Sequence, residues 1–176
     1  TNSGRAYEAA SGPRGVFWPP IDANNAEGIA RMQAIAPFFT PMIAKVGATI
    51  DDTDGVATAG YAYPVLMTYA VQDEGLTYNM TKAMNENFEQ FKGNAPGING
   101  WALDKQNFQW VAPYHEGAVR YYTEIGVWSD EAQAHNDNLI ARQAALMAAW
   151  EELKAEAPSD WEAAWEAKRR EALKAG

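Results

Sequence analysis

His115 and Glu116 stand side by side within the aromatic stretch from Trp110 to Trp128. A His-Glu pair at the start of a helix is the opening of a zinc-protease signature, which needs a second histidine one turn later. That position is Val119, and His135 is the only other imidazole, at no metal-ligand spacing from the first. Zinc hydrolysis is therefore not expected, because two imidazoles on one helix face are what would hold the ion. Asp51, Asp52 and Asp54 invite a calcium reading. An EF-hand loop counted from Asp51 would need glycine at its sixth position and glutamate at its twelfth, and Val56 and Ala62 stand there. A solvated turn is expected instead, and no metal site is assigned. No serine lies in a Gly-x-Ser-x-Gly elbow. The glycines between Gly93 and Gly100 follow neither phosphate-loop pattern. With 0 cysteines there is no thiol chemistry and no disulfide. The chain is not expected to be an enzyme, and no cofactor is implied.

What remains is an inventory suited to holding a small anion. Arg14 precedes the corner Phe17, Trp18, Pro19 and Pro20; Tyr61 and Tyr63, two apart on a predicted strand, point to one face; Tyr114 and His115 sit where a short helix begins. An arginine takes a carboxylate through two parallel hydrogen bonds, and tyrosine hydroxyls and helix N-terminal amides add neutral donors. The candidate ligand-binding residues are thus Arg14, Trp18, Tyr61, Tyr63, Tyr114 and His115. Each has a plainer alternative. Trp18 can be core, the two tyrosines can cap an apolar layer at a surface, and a lone histidine can serve structure.

The elements that must position these residues follow from punctuation and periodicity. Gly15 to Trp18 is predicted as a buried strand ended by Pro19. Asn24 with Glu27 predicts a helix start, with Ile29, Met32 and Ile35 on one face and Pro37 as the stop. Phe38 to Pro41 reads as loop, Ala44 to Ile50 as a strand, and Val56 to Ala70 as a strand bent near Pro64. From Asp73 to Gly93 a helix is predicted, with Leu76, Met80, Met84, Phe88 and Phe91 as its core stripe. Ser129 caps a long helix reaching Glu156, with Leu139, Leu146, Trp150 and Leu153 on one stripe. Ser159 and Glu162 form a capping box for a last helix carrying Trp161 and Trp165. The chain of 176 residues is 47% hydrophobic with a net charge of −9. Order is expected, while nucleic acid and anionic lipid surfaces are poor partners. No run approaches the roughly 18 apolar residues that span a bilayer. The chain begins at Thr1 with no signal-like segment, as a processed or partial polypeptide would.

The run Gly60, Tyr61, Ala62, Tyr63, Pro64, then Tyr78 to Ala83, then Pro113 to Tyr122 with Gly126, Val127 and Trp128, then His135, Asn136 and Asp137 resembles the TAXI family of TRAP-transporter solute-binding proteins, over its C-terminal half. The order and spacing of these segments carry the resemblance, from about Ser11 to Trp150. It implies an α/β, periplasmic-binding-protein-like fold, a two-lobed solute receptor, of which this is the C-terminal half with a mostly helical C-terminus. Residues 1–157 would contribute to both lobes, and 158–176 would form an added C-terminal amphipathic helix. The implied function is a periplasmic subunit that reversibly binds a small anionic metabolite, such as glutamate, a dicarboxylate or a 2-oxoacid. Its implied partners are the membrane permease subunits of a TRAP transporter and the missing N-terminal half or another chain that covers exposed apolar faces, Phe88 and Phe91 among them. An accessory or structural subunit that keeps the receptor fold without binding ligand is the alternative.

Overall fold

The computed structural model describes residues 3–51, 53–62, 64–95 and 97–173, so Asp52, Tyr63 and Pro96 lie outside the described residues. The chain forms two compact units, Thr1–Tyr63 and Pro64–Gly176. This division is separate from the expected one at residue 157, which concerned where a receptor fold ends.

In the first unit, α1 (Gly4–Ala10) is capped by Ser3 and α2 (Ala26–Ile35) by Asn25, whose side chain accepts from Gly28 N at 2.9 Å. The cap falls one residue after Asn24, whose N–H is taken by the Asp22 carboxylate at 2.8 Å in the turn before the helix. Strands β1 (Thr40–Ala44) and β2 (Val56–Gly60) pair antiparallel, with Thr40 opposite Gly60 and Ala44 opposite Val56.

These strands correct three expectations. Phe38 to Pro41 is not all loop, since Pro41 sits inside β1. A two-stranded sheet leaves every strand an edge, where a missing N–H costs little. Ala44 to Ile50 is not a strand, since a turn closed by Ile50 N on Gly47 O at 3.2 Å, with Thr49 at φ 60°, takes over after Ala44. Gly15 to Trp18 has no ladder partner among the described residues. Phe17 is 82% exposed, and Trp18 is instead fixed by its indole N–H donating to Ala48 O at 2.8 Å. Gly55, at φ +69°, is required where the chain enters β2, because a side chain there would strike the Ala44 carbonyl.

The long strand expected to Ala70 stops at Gly60. No third strand is present among the described residues to pair with its continuation. Beyond Pro64 the chain runs irregularly, with Leu66, Met67, Tyr69 and Val71 exposed, to a turn in which Gln72 N bonds Tyr69 O at 3.0 Å.

The second unit begins its helices with α3 (Glu74–Glu86), capped by Asp73. Asn87 interrupts it before α4 (Phe88–Phe91), its side chain donating to Ala83 O at 2.8 Å, a local bond that competes with the helical ladder. Two 3-10 turns, Ile98–Trp101 and Leu103–Lys105, lead to α5 (Glu116–Glu124). Helix α6 (Asp130–Glu156) is capped by Ser129 as expected and ends at Ala157, in left-handed conformation just before Pro158. Helix α7 (Trp161–Ala172) is capped by Asp160, not by Ser159 of the predicted box. Lys168 holds α7 against α6 through Glu156 at 2.7 Å and Glu152 at 3.0 Å, and these bonds raise its pKa.

The centre of this unit is Ala118, Tyr121 and Tyr122 of α5, ringed by Tyr78, Leu103, Phe108, Tyr114, Ile125, Val127 and Trp128. Phe108, Tyr114, Tyr122 and Trp128 meet at centroid distances of 5.1 to 5.9 Å, mostly edge to face, the arrangement that ring quadrupoles favour.

Here the expected core face of α3 is overturned in part. Leu76 is 57% and Met80 51% exposed. Helix α3 turns toward α5 the face bearing Thr77, Tyr78 and Asn85. Tyr78 meets Tyr121 at 5.9 Å, and Asn85 donates to the Tyr121 hydroxyl at 2.8 Å. The reason is the surface that α5 presents. Gly117 lies so close to Glu74 O and Tyr78 N that no Cβ fits between the helices. At that point the backbones themselves meet, and Tyr78 and Asn85 pack beside it on Tyr121, leaving Leu76 and Met80 outside the contact.

Candidate functional site

Three of the six candidates lie in the first unit. Arg14 is exposed just after α1 and has no ion pair among the described residues. It sits within a tight turn, closed by Gly15 N on Gly12 O at 3.0 Å, with Gly15 at φ +62°. Trp18 is half-buried with its only polar atom bonded to Ala48, and Thr49 Oγ1 donates to Val16 O at 3.3 Å, so the segment after Arg14 is tied to the turn after β1. Tyr61 leaves the end of β2 with its edge against Phe39 at 5.8 Å and Phe38 at 6.1 Å; its hydroxyl bonds to nothing among the described residues. Tyr63, its expected companion, lies outside the described residues.

Phe39 also walls a groove of about 390 Å³, together with Ile21, Met32, Ile35, Ala36 and Ala59. The groove exists because α2 lies only lightly against β1, while Ile21 is fixed beside β2 through its N–H to Ala57 O at 2.9 Å. Met32 and Ile35, which the spacing places on one helix face, line this open groove. Sequence reasoning did not single out Ile21 or Phe39, and the apolar spacing along α2 was the only signal that could have led to them.

Tyr114 and His115 belong to the second unit. His115 is the N-cap of α5: its Nδ1 accepts from Gly117 N at 3.1 Å, and Nε2 lies 3.1 Å from Gln72 O. An acceptor at Nδ1 and a partner carbonyl at Nε2 fix the neutral tautomer with the proton on Nε2. Tyr114 is half-buried, its hydroxyl donating to Asn107 O at 3.1 Å and its N–H to the buried Asn136 side chain at 2.7 Å. Burial of the phenol, chiefly, drives its pKa well above the usual tyrosine range. The same cause, reinforced by Tyr121, raises Tyr122 to about 12. His135, the other imidazole, places Nε2 2.7 Å from Trp110 O and thereby anchors the start of α6.

An exposed polar brace between α3 and α5 was not foreseen. The Tyr78 hydroxyl donates to Glu124 at 2.5 Å, Lys82 lies 3.7 Å from Glu124, Arg120 pairs with Glu74 at 3.2 Å, and the Arg120 guanidinium lies over the Tyr78 ring at 4.4 Å. The bond to Glu124 raises the Tyr78 pKa, the opposite of what a tyrosine acting as a base requires, so the cluster joins helices. Its signal in the sequence was the one-turn spacing of Tyr78 with Lys82 and of Arg120 with Glu124.

Among the described residues no three His, Asp or Glu side chains converge as metal ligands, and Asp51 spends its carboxylate on the Thr53 N–H at 2.7 Å. That bond, chiefly, lowers the Asp51 pKa. Among the same residues no helix is long and apolar enough to cross a membrane. A sequence model of the NMT1-like family matches residues 21–126, a span that includes Tyr61, Tyr114 and His115 and begins after Arg14 and Trp18. No curated protein and no solved structure matches the chain.

Proposed function

We propose, because this chain belongs to the NMT1-like family, a solute-binding family with a periplasmic-binding-like fold that is not typically enzymatic, that it is the solute-binding subunit of a TRAP-type transporter of the TAXI kind. In this reading it reversibly captures a small anionic metabolite, such as glutamate, a dicarboxylate or a 2-oxoacid, and hands it to permease subunits. Members of such families are usually periplasmic or extracellular, and periplasmic capture is the reading adopted. Residues 1–157 would supply parts of both lobes of the receptor.

The family match over residues 21–126 is the observation that carries this proposal. The site residues are proposed as Arg14, Trp18, Tyr61, Tyr63, Tyr114 and His115. Arg14 and Tyr61 support it most directly, since their polar ends are exposed and have no hydrogen-bond or ion-pair partner among the described residues. A guanidinium in that state can take a carboxylate without breaking an internal bond.

The test is thermal unfolding of the complete protein with glutamate, 2-oxoglutarate and four-carbon dicarboxylates. A ligand that binds only the folded chain stabilises it by about 2.7 kcal/mol at a hundred times its Kd. A rise in melting temperature with one of these anions, lost in Arg14→Ala, is expected. No rise across the panel removes the anion-capture reading.

A second reading, an accessory subunit that no longer binds ligand, is favoured by a separate observation. The polar atoms of Trp18, the Tyr114 hydroxyl and both His115 nitrogens are engaged in internal hydrogen bonds. In that case melting is indifferent to the whole panel while the chain still associates with the permease.

A further inference from the structure

The hairpin of α6 and α7 lies outside the family match and holds an aromatic cluster of its own. Trp150 of α6 meets Trp161 of α7 at 5.8 Å and Trp165 at 5.3 Å, the latter edge to face. Trp161 and Trp165 are one turn apart on α7, so both flank the same ring. Stapling two helices would normally bury such a cluster, yet Trp150 is 40% and Trp161 43% exposed. Beside the rings lies an open pocket of about 350 Å³, also lined by Glu162, Glu166 and Arg169.

Two features separate this cluster from core packing. The indoles of Trp18, Trp101 and Trp128 each donate to a protein acceptor at 2.8 Å, whereas those of Trp150, Trp161 and Trp165, like that of Trp110 elsewhere in the unit, have no hydrogen-bond partner among the described residues. The charges are also balanced at the pocket. Glu166 is paired with Arg170, while Glu162 and Arg169 have no ion-pair partner among the described residues and are of opposite sign. The site therefore offers flat apolar faces, free N–H donors, a free carboxylate and a free guanidinium, with no net charge to select an ion.

We propose that this pocket binds a neutral saccharide. A pyranose ring has an apolar face of C–H groups that covers an indole, and its rim of hydroxyls both donates to a carboxylate and accepts from guanidinium and indole N–H groups. An inorganic or organic cation would meet Arg169, and a carboxylate ligand would meet Glu162. The volume is within the range of small-ligand pockets. None of these residues belongs to the anion site proposed above, so either proposal can fail without the other.

The experiment is isothermal titration calorimetry of the full chain with methyl glucoside, methyl galactoside, methyl mannoside and a β-linked tetrasaccharide, with tetramethylammonium chloride and sodium glutamate as comparators. Saturable heat is expected with at least one neutral sugar, at an affinity weakened about tenfold or more by Trp161→Ala and by Glu162→Gln. Glu162 is exposed and makes no ion pair among the described residues, so its variant keeps the fold and remains informative if loss of Trp161 loosens the hairpin. Absence of saturable binding to every sugar overturns the proposal, as does sugar binding unchanged in Glu162→Gln. Tetramethylammonium competing at the same tryptophans would replace a neutral ligand with a cationic one and overturn it equally.

Discussion

Two sets of aromatic and aliphatic side chains meet opposite ends in this molecule. In the second unit Tyr121 and Tyr122 are 2% and 8% exposed, closed in by neighbouring rings and by α3. In the first unit Met32, Ile35 and Phe39 are at least as apolar but border an open groove, and the buried apolar residues are only the small Ala44 and Ala48 among those described. Composition does not separate the two. Backbone approach does: Gly117 lets α5 close on α3 until side chains from both fill the space, whereas α2 touches the hairpin too lightly to shut its face. Closure buries the aromatic centre of the second unit, while the first keeps apolar surface exposed.

The sharpest way to break this contrast is to remove the close approach. Gly117→Val puts a branched side chain against Glu74 O, Tyr78 N and Thr77 Cβ, all backbone or near it, so α5 must move away from α3. Overpacking of this kind costs about 3 kcal/mol, and here it also separates Asn85 from the Tyr121 hydroxyl. Chemical denaturation should show that loss, together with faster amide exchange along α5. A variant as stable as the parent would mean that the helix contact does not hold the unit together.

How much of this was legible depends on how local each feature is. Helix α6 was readable end to end, since Ser129 caps it and Pro158 stops it within the same stretch of chain. The caps at Asn25 and Asp160 were each missed by one residue, because Asn24 and Ser159 offer the same chemistry and only neighbouring turn bonds choose between them. The face of α3 was misread at Leu76 and Met80, since apolar periodicity along one helix carries no information about Gly117, more than thirty residues away. Strand pairing is equally non-local: nothing beside Tyr61 says that its strand will find a single partner and end at Gly60. Of the candidate site, residue types were legible and their engagement was not. Trp18 and His115 looked available as ligand contacts until Ala48, Gln72 and Gly117 were seen to take their polar atoms.

A second test sharpens the comparison through pH. The closed core raises the Tyr122 phenol to about 12, mainly by burial, and raises Tyr114 in the same direction. The unfolded chain titrates its tyrosines near a pKa of about 10. Between these values the unfolded state has lost protons that the folded state still holds, so unfolding gains in favour as pH rises. The stabilisation is full below about pH 10 and is lost on the way up through about 12. Tyr122→Phe, which removes one of the raised phenols, should match the parent near neutrality and decline less steeply over that interval. Equal slopes for the two proteins would mean that water reaches the phenol and that the core is less closed than its geometry.

The smallest expected effect lies on the open side. Ile35 is 89% exposed at the end of α2, so Ile35→Ala removes methyl groups already in contact with water. Exposed substitutions of this sort change stability by less than about 0.5 kcal/mol. Amide exchange in β1 and β2 is the right readout, since it reports the first unit without averaging over the second. A loss of about 2 kcal/mol or more, the scale of a truncated core aliphatic, would show that Ile35 is covered in solution. The groove would then be a seam already filled by another chain or another copy, and the contrast between an open and a closed unit would belong to the isolated chain alone. With Ile35→Ala neutral, the apolar wall stays free in solution, and a ligand or partner that reaches it gains burial that folding has not already claimed.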